Sequence, residues 1–193
     1  MATATLAPVG MIGGWTLTQA LEPWFDPLRG TISALAIGPV QHSWVMTAGL
    51  ALTGLGHLGT AVGLRSAAPA GRVLLALGGI GALAVAAFPT DVAPTQHALA
   101  AAIAFGALSL WPAGAWRRRW AGRPWVLAPG TSFAVTGVLL ALLGWFAFGV
   151  PQIGGETLTG LAERVLAGAQ VLWPLAVVLV IVRGGRNRAR HAG

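Results

Sequence analysis

The sequence predicts an all-α polytopic membrane protein, a six-transmembrane-helix bundle with N- and C-termini both cytoplasmic. Three observations carry that expectation. Only 9% of the 193 residues are charged, 55% are hydrophobic and the mean hydropathy is +0.73, whereas a water-facing domain carries roughly a quarter charged residues. Apolar runs recur at the length a bilayer requires, about 20 residues for a hydrocarbon layer of about 30 Å at about 1.5 Å rise per residue. Finally, arginines and carboxylates gather on alternate connections between those runs.

Six spans follow, near residues 5–21, 43–64, 72–88, 96–115, 131–150 and 158–182. The runs do not alternate with period two, which excludes the strands of a membrane barrel. Breaks coincide with Pro23 and Pro27, Pro69 and Gly71, Pro89 and Pro94, Pro124 and Pro129, and Pro151 with Gly154 and Gly155, residues that interrupt regular structure. The first run contains Gly13, Gly14 and Thr16 and lacks a basic leader region, so it is kept as a mature helix. Residues 22–42 form an outer loop and 183–193 a basic tail, and 1–193 is a single integral membrane domain.

Orientation follows from arginine. Arg65 and Arg72 flank the second connection, Arg117, Arg118, Arg119 and Arg123 fill the fourth, and Arg183, Arg186, Arg188 and Arg190 lie in the tail. Only Arg29 and Arg164 belong to the other side. The positive-inside rule therefore assigns both termini to the cytoplasm of a bacterial-type inner membrane. The net charge of +7 reflects this placement and does not form a nucleic-acid-binding surface. Glu22, Asp26, Asp91, Glu156 and Glu163, with His42 and His97, all fall on the outer side.

These outer groups are the candidates for chemistry, because ionisable residues in a membrane domain are costly and tend to be functional. Asp91 and His97 lie in "FPTDVAPTQH". Asp91 has two uses open to it: capping the fourth span through an amide hydrogen bond, or setting the tautomer of a proton-transferring His97. Glu156, Thr159, Glu163 and Gln170 follow helical spacing on one stripe of the last span. Glu163 there is either a partner in an interhelical bond or a carboxyl that donates a proton. Arg164 points elsewhere, toward another helix or a headgroup.

His57, deep in the second span, is expected as a neutral imidazole bonded to a neighbouring helix. Gly49, Thr53, Gly56, Thr60 and Gly63 form a small-residue stripe for helix packing. In the outer loop, Leu28, Ile32 and Leu35 share one side of a short helix that either lies on the membrane or folds down as a lid. Trp24, Phe25 and Trp44 suit the outer interface, and Trp116, Trp120 and Trp125 the inner one. Trp15, Trp111, Trp145 and Trp173 sit nearer span interiors, as packing groups or as the walls of an apolar pocket.

No nucleotide-binding, zinc-protease or serine-hydrolase motif occurs. The chain has no cysteine and only four histidines, none paired at helical spacing, so neither a metal nor another cofactor is expected. The order "DPLRGTISAL", "GP", Trp44, "FPTD", "TQH" and "GLAERV" resembles the bacterial membrane-protein family catalogued as domain of unknown function 998, from about Asp26 to Trp173. The resemblance implies a six-helix membrane fold with Asp26, Arg29, Ser33, Asp91, His97, Glu163 and Arg164 as characteristic polar positions. It implies no activity.

These features lead to an expected cofactor-independent membrane enzyme acting on an apolar lipid or isoprenoid. Its most specific form is an isomerase or cyclase of a polyprenyl-type alkene. Asp91, His97 and Glu163 would supply acid and base. Asp26, Arg29, Ser33, Arg164, Trp111, Trp145 and Trp173 would bind substrate, the tryptophans supporting a developing cation. The alternative is a non-enzymatic lipid-binding accessory protein or a small proton-coupled transporter. Its partners are membrane lipid and a hydrophobic small molecule, with no nucleic acid.

Overall fold

The computed structural model describes residues 2–117, 124–149 and 158–191. Every regular element among them is helical: α1 (Ala2–Pro8), α2 (Gly14–Leu21), α3 (Ser43–Gly63), α4 (Pro69–Ala87), α5 (Pro94–Ala115), α6 (Pro129–Phe148) and α7 (Thr159–His191). Five of these, α3 to α7, are long and apolar enough to cross a membrane. The helical and apolar character read from composition is therefore present in the structure.

Helix boundaries differ from the hydropathy reading for a physical reason. Pro69 and Pro129 mark breaks in the sequence, yet each opens a helix, and Pro94 takes the first turn of α5, as proline tolerates, where a missing N–H costs nothing. The spans consequently begin a few residues earlier than expected. The basic tail is likewise not a separate segment: α7 continues to His191, since arginine propagates a helix well. Glu156, Arg118, Arg119, Trp120, Arg123 and the last two residues of the tail lie outside the described residues.

The first run, Ala2–Leu21, is helical throughout but changes pitch in the middle. Pro8 ends α1, a π turn occupies Val9–Gly13, and α2 follows. A proline lacks the amide needed to continue the regular ladder, and glycines offer little resistance to the adjustment. This altered turn lies flat against α3. A Cβ on Gly49 would come within 2.5 Å of the Gly10 carbonyl oxygen, and one on Gly56 within 2.6 Å of the Ala7 nitrogen. Thr53 seals the seam, donating its hydroxyl to the Gly49 carbonyl at 2.8 Å and lying 3.2 Å from that of Ala7. The small-residue stripe of α3 is thus a packing surface at Gly49, Thr53 and Gly56, while Gly63 faces open space.

Further along, α4 packs between α3 and α5, and α6 between α5 and α7. Pro112 interrupts the ladder inside α5, and the neighbouring Ala113 N–H turns outward to the Thr136 hydroxyl of α6 at 2.9 Å. The two ends of the bundle have opposite chemistry. At one, Arg117 donates to the Ala67 carbonyl at 3.2 Å and Arg72 to that of Ala61 at 2.7 Å. At the other lie the α4–α5 turn, the start of α7 and the loop 22–42, with the described carboxylates.

Candidate functional site

The loop 22–42 folds down over the bundle as a lid. Its single short helix is a 3-10 turn at Ser33–Ala36, and Ile32 and Leu35 are completely enclosed beneath it. Leu28 does not join them; it is exposed, as are Trp24 and Trp44.

Four carboxylates order the lid through backbone amides, Glu22 and Asp26 from within it and Asp91 and Glu163 from the bundle. Glu22 accepts from the His42 N–H at 2.9 Å, Asp26 from Leu28 at 2.9 Å, Asp91 from Gly38 at 3.0 Å and Glu163 from Ile32 at 2.6 Å. Glu22 also meets the His42 ring at 2.9 Å and the Trp24 indole at 2.7 Å, so it ties the two ends of the loop together. These bonds stabilise the charged carboxylate, the His42 amide most of all, and hold Glu22 below its ordinary pKa. The Leu28 amide, aided by Arg29, lowers Asp26 in the same way. Such amide bonds explain why the carboxylates collect at this end of the chain.

Arg164 completes the fastening. Its guanidinium donates to the Gly30 carbonyl at 2.8 Å and to Gly160 at 2.9 Å, and sits 6.0 Å from the Phe25 ring centre. With the Gln19 amide oxygen turned toward it, Arg164 also binds the end of α2. The first turn of α7, whose amides have no helical partner, gives its Leu161 N–H to the Leu28 carbonyl at 3.0 Å.

Under the lid is a narrow cavity of about 50 Å³. Ser33 comes from the lid, Met11 from the π turn, Leu50 and Thr53 from α3, Ala82 and Val85 from α4, His97, Ala101 and Phe105 from α5, and Glu163, Ala167 and Gln170 from α7. His97 Nδ1 lies 2.8 Å from the Phe88 carbonyl. A carbonyl only accepts, so Nδ1 carries a hydrogen, and in the neutral ring Nε2 is the acceptor. Glu163 uses Oε2 for the lid; its Oε1 takes no hydrogen bond from a described residue. Gln170 is fixed by donation to the Phe105 carbonyl and the Ser109 hydroxyl, both at 3.0 Å. One carboxyl, one imidazole, one amide and the hydroxyls of Ser33 and Thr53 therefore share a chamber whose remaining wall is apolar.

Several sequence expectations change here. Asp91 neither caps α5, whose N-cap Ala93 has no side-chain bond, nor sets the His97 tautomer; it holds Gly38, and Phe88 holds His97. Asp26 and Arg29 pair with each other at 2.5 Å on the outside of the lid, away from the cavity. Arg164 fastens the lid and does not line the chamber. Nor do the tryptophans line it. Trp111 is enclosed in a separate core cluster with Leu75, Leu108 and Val177, Trp173 packs on that cluster, and Trp145 is half-buried on α6. Phe105 is the aromatic of the cavity wall. His57 is enclosed, but neither ring nitrogen has the expected partner.

Sequence reasoning left Glu22, His42 and Gly38 out of the site. Glu22 and His42 do bracket the loop in the sequence, which is a legible signal for a clamp. Gly38 and Ile32 act through backbone groups, which side-chain identity does not announce. Among the described residues no group of three or more His, Asp or Glu side chains is placed to hold a metal ion.

Neither the curated proteins nor the solved structures provide a significant match to the chain. A family model does match, over residues 5–180, and thereby spans the lid, the cavity and all the helices around them. The chain belongs to the family described as Protein of unknown function (DUF998).

Proposed function

We propose that this chain is a small cofactor-independent membrane enzyme performing acid–base chemistry on an apolar lipid or isoprenoid. The observation that carries this reading is the meeting of Glu163 from α7 and His97 from α5 in one apolar chamber beneath a fastened lid. Ser33 and Gln170 provide polar contacts for orientation. In the most specific form, the Glu163 carboxyl adds a proton to an alkene and His97 Nε2 removes one from an adjacent carbon. The double bond moves, and the proton returns from His97 to Glu163 to restore both groups. With the tryptophans elsewhere, Phe105 supplies the aromatic face for the intermediate cation. Asp91, Asp26, Arg29 and Arg164 serve the lid.

A second feature supports entry from the bilayer. A groove of about 520 Å³ between α5 and α6 shares Ala101 and Phe105 with the cavity wall, and Phe105 packs on Phe146 at 5.3 Å. A hydrocarbon chain lying in the groove would reach the chamber by displacing Phe105. The chamber alone, at about 50 Å³, has room for little more than water.

Orientation belongs to the same proposal. The arginine-bearing end faces the cytoplasm of a bacterial-type inner membrane and the lid faces outward. Ala2–Leu21 crosses as a sixth span, since twenty helical residues measure about 30 Å.

The test incubates the purified protein in vesicles containing farnesol and host lipid extract in deuterated water. Protonation and deprotonation at carbon exchange solvent deuterium into the alkene, which mass spectrometry reads directly. Label that depends on Glu163 and His97, lost in Glu163→Gln and His97→Gln, supports the enzyme. Lipid that is bound without label, or label unchanged in both variants, overturns it. Bound but unaltered lipid would favour the accessory-protein alternative.

A further inference from the structure

Below the chamber, toward the arginine-bearing end, lies a second cavity of about 150 Å³. The same three helical segments line both. On α3, Leu50 and Thr53 face the chamber and Thr60 and Leu64 the second cavity; on α7, Val171 faces the first and Val178 the second; at the N-terminus, Met11 and Ala4 do the same. Each pair brackets one residue at helical spacing: His57 on α3, Pro174 on α7 and Ala7 on α1. Along their helices these three buried residues occupy the layer between the linings of the two cavities.

The layer has unusual chemistry for a seal. His57 is 1% exposed and neither Nδ1 nor Nε2 has a hydrogen-bond partner, whereas buried polar groups are nearly always paired. Pro174 has no N–H to offer the Gln170 carbonyl four residues back, so the helix leaves an acceptor open beside the chamber. Ala7 contributes no bulk. An imidazole with two open nitrogens is suited to take a proton at one and release it from the other. Titratable groups on the chamber side are Glu163 and His97; the second cavity offers the hydroxyls of Thr3, Thr60 and Ser66.

We propose that His57 is the relay of a transmembrane proton path joining the lidded chamber to the arginine-bearing end of the bundle. A proton arriving from the chamber binds one ring nitrogen, and the proton on the other leaves toward the Thr60 side; ring rotation restores the starting tautomer. Charge and proton number balance, and the pH gradient supplies the driving force. No substrate chemistry at Glu163 is required, so the path stands or falls separately from the enzymatic reading.

The experiment uses the full chain in phosphatidylethanolamine–phosphatidylglycerol vesicles with trapped pyranine, potassium and valinomycin to balance charge. After an external acid pulse, wild-type protein should acidify the lumen faster than protein-free vesicles. His57→Leu should reduce the protein-dependent rate at least tenfold. His57→Gln, close in size and able to bind water but not to relay protons, should lose as much; it carries the comparison if the leucine variant fails to fold. Wild-type vesicles no faster than empty ones overturn the proposal. So does a His57→Gln variant, monodisperse and helical, that conducts like wild type, because it indicates passage of protons by another route.

Discussion

The bond from the Ile32 N–H to Glu163 gives a direct measure of how firmly the lid is shut. Glu163→Leu removes the acceptor and leaves the Ile32 amide enclosed without a partner, since Ile32 is 2% exposed. A buried donor orphaned in this way costs about 1–3 kcal/mol. At about 1.4 kcal/mol per tenfold, the open lid becomes roughly 5- to 140-fold more populated. Hydrogen exchange reads that population, because the amide must leave Glu163 before it meets water. The peptide covering Ile32 should therefore lose roughly 5- to 140-fold in protection, while peptides from the middle of α3 keep theirs. Glu163→Gln retains an acceptor oxygen and should lie within about threefold of wild type. Unchanged protection in Glu163→Leu would refute the argument, and so would a glutamine variant as labile as the leucine one.

Three further outcomes follow from the same geometry. Gly49→Val, which drives a side chain into the Gly10 backbone, should lower the thermal unfolding midpoint in detergent by the equivalent of about 1–3 kcal/mol; Gly13→Ala, with open space around it, should not. The lid should also loosen in acid. Glu22 has a folded pKa below its unfolded value, so its contribution is complete above the ordinary carboxylate range and is lost as pH falls through the lowered pKa. Exchange at the His42 amide should rise over that interval and become pH-flat, after correction for intrinsic rates, in Glu22→Gln. Finally, the native chain has no cysteine, so Ala2→Cys, Ala70→Cys and Thr90→Cys report topology without background. In intact cells a membrane-impermeant maleimide should label only Thr90→Cys; labelling of Ala2→Cys together with Thr90→Cys would remove the sixth span.

The membrane architecture was legible because a bilayer imposes a length and a composition that no soluble fold requires. Charge segregation was legible too: among the described residues Arg65, Arg72 and Arg117 lie at one end, and the carboxylates, joined by Arg29 and Arg164, at the other. The helix starts at Pro69 and Pro129 fall earlier than hydropathy places them, because a proline carries the same letter whether it ends one helix or opens the next. Within the site, Glu163, His97 and Ser33 line one cavity, a meeting of three separate elements that spacing along each one does not reveal. Asp91 is expected as a catalytic group and Asp26, Arg29 and Arg164 as substrate contacts because a charge in an apolar chain invites a ligand. Their partners are mostly backbone amides and carbonyls, of Gly38, Leu28, Gly30 and Gly160, and such groups are present whatever the side chain. The tryptophans were misassigned because depth along a helix does not reveal azimuth: Trp111 points into the core away from the chamber.

Holding a lid by its amides has a consequence for how the family can vary. A carboxylate that grips an N–H places no demand on the side chain attached to it. Positions 28, 32 and 38 are therefore free, as far as the grip is concerned, to exchange among nineteen residue types, whereas position 42 is also held through its ring. Proline is the one that abolishes it. Paired substitution between lid and bundle, the usual trace of contact in a set of related sequences, should be nearly silent at the Ile32–Glu163 and Gly38–Asp91 bonds, while the acidic partners stay fixed. The lid can thus be re-lettered for a different occupant without loosening its fastenings.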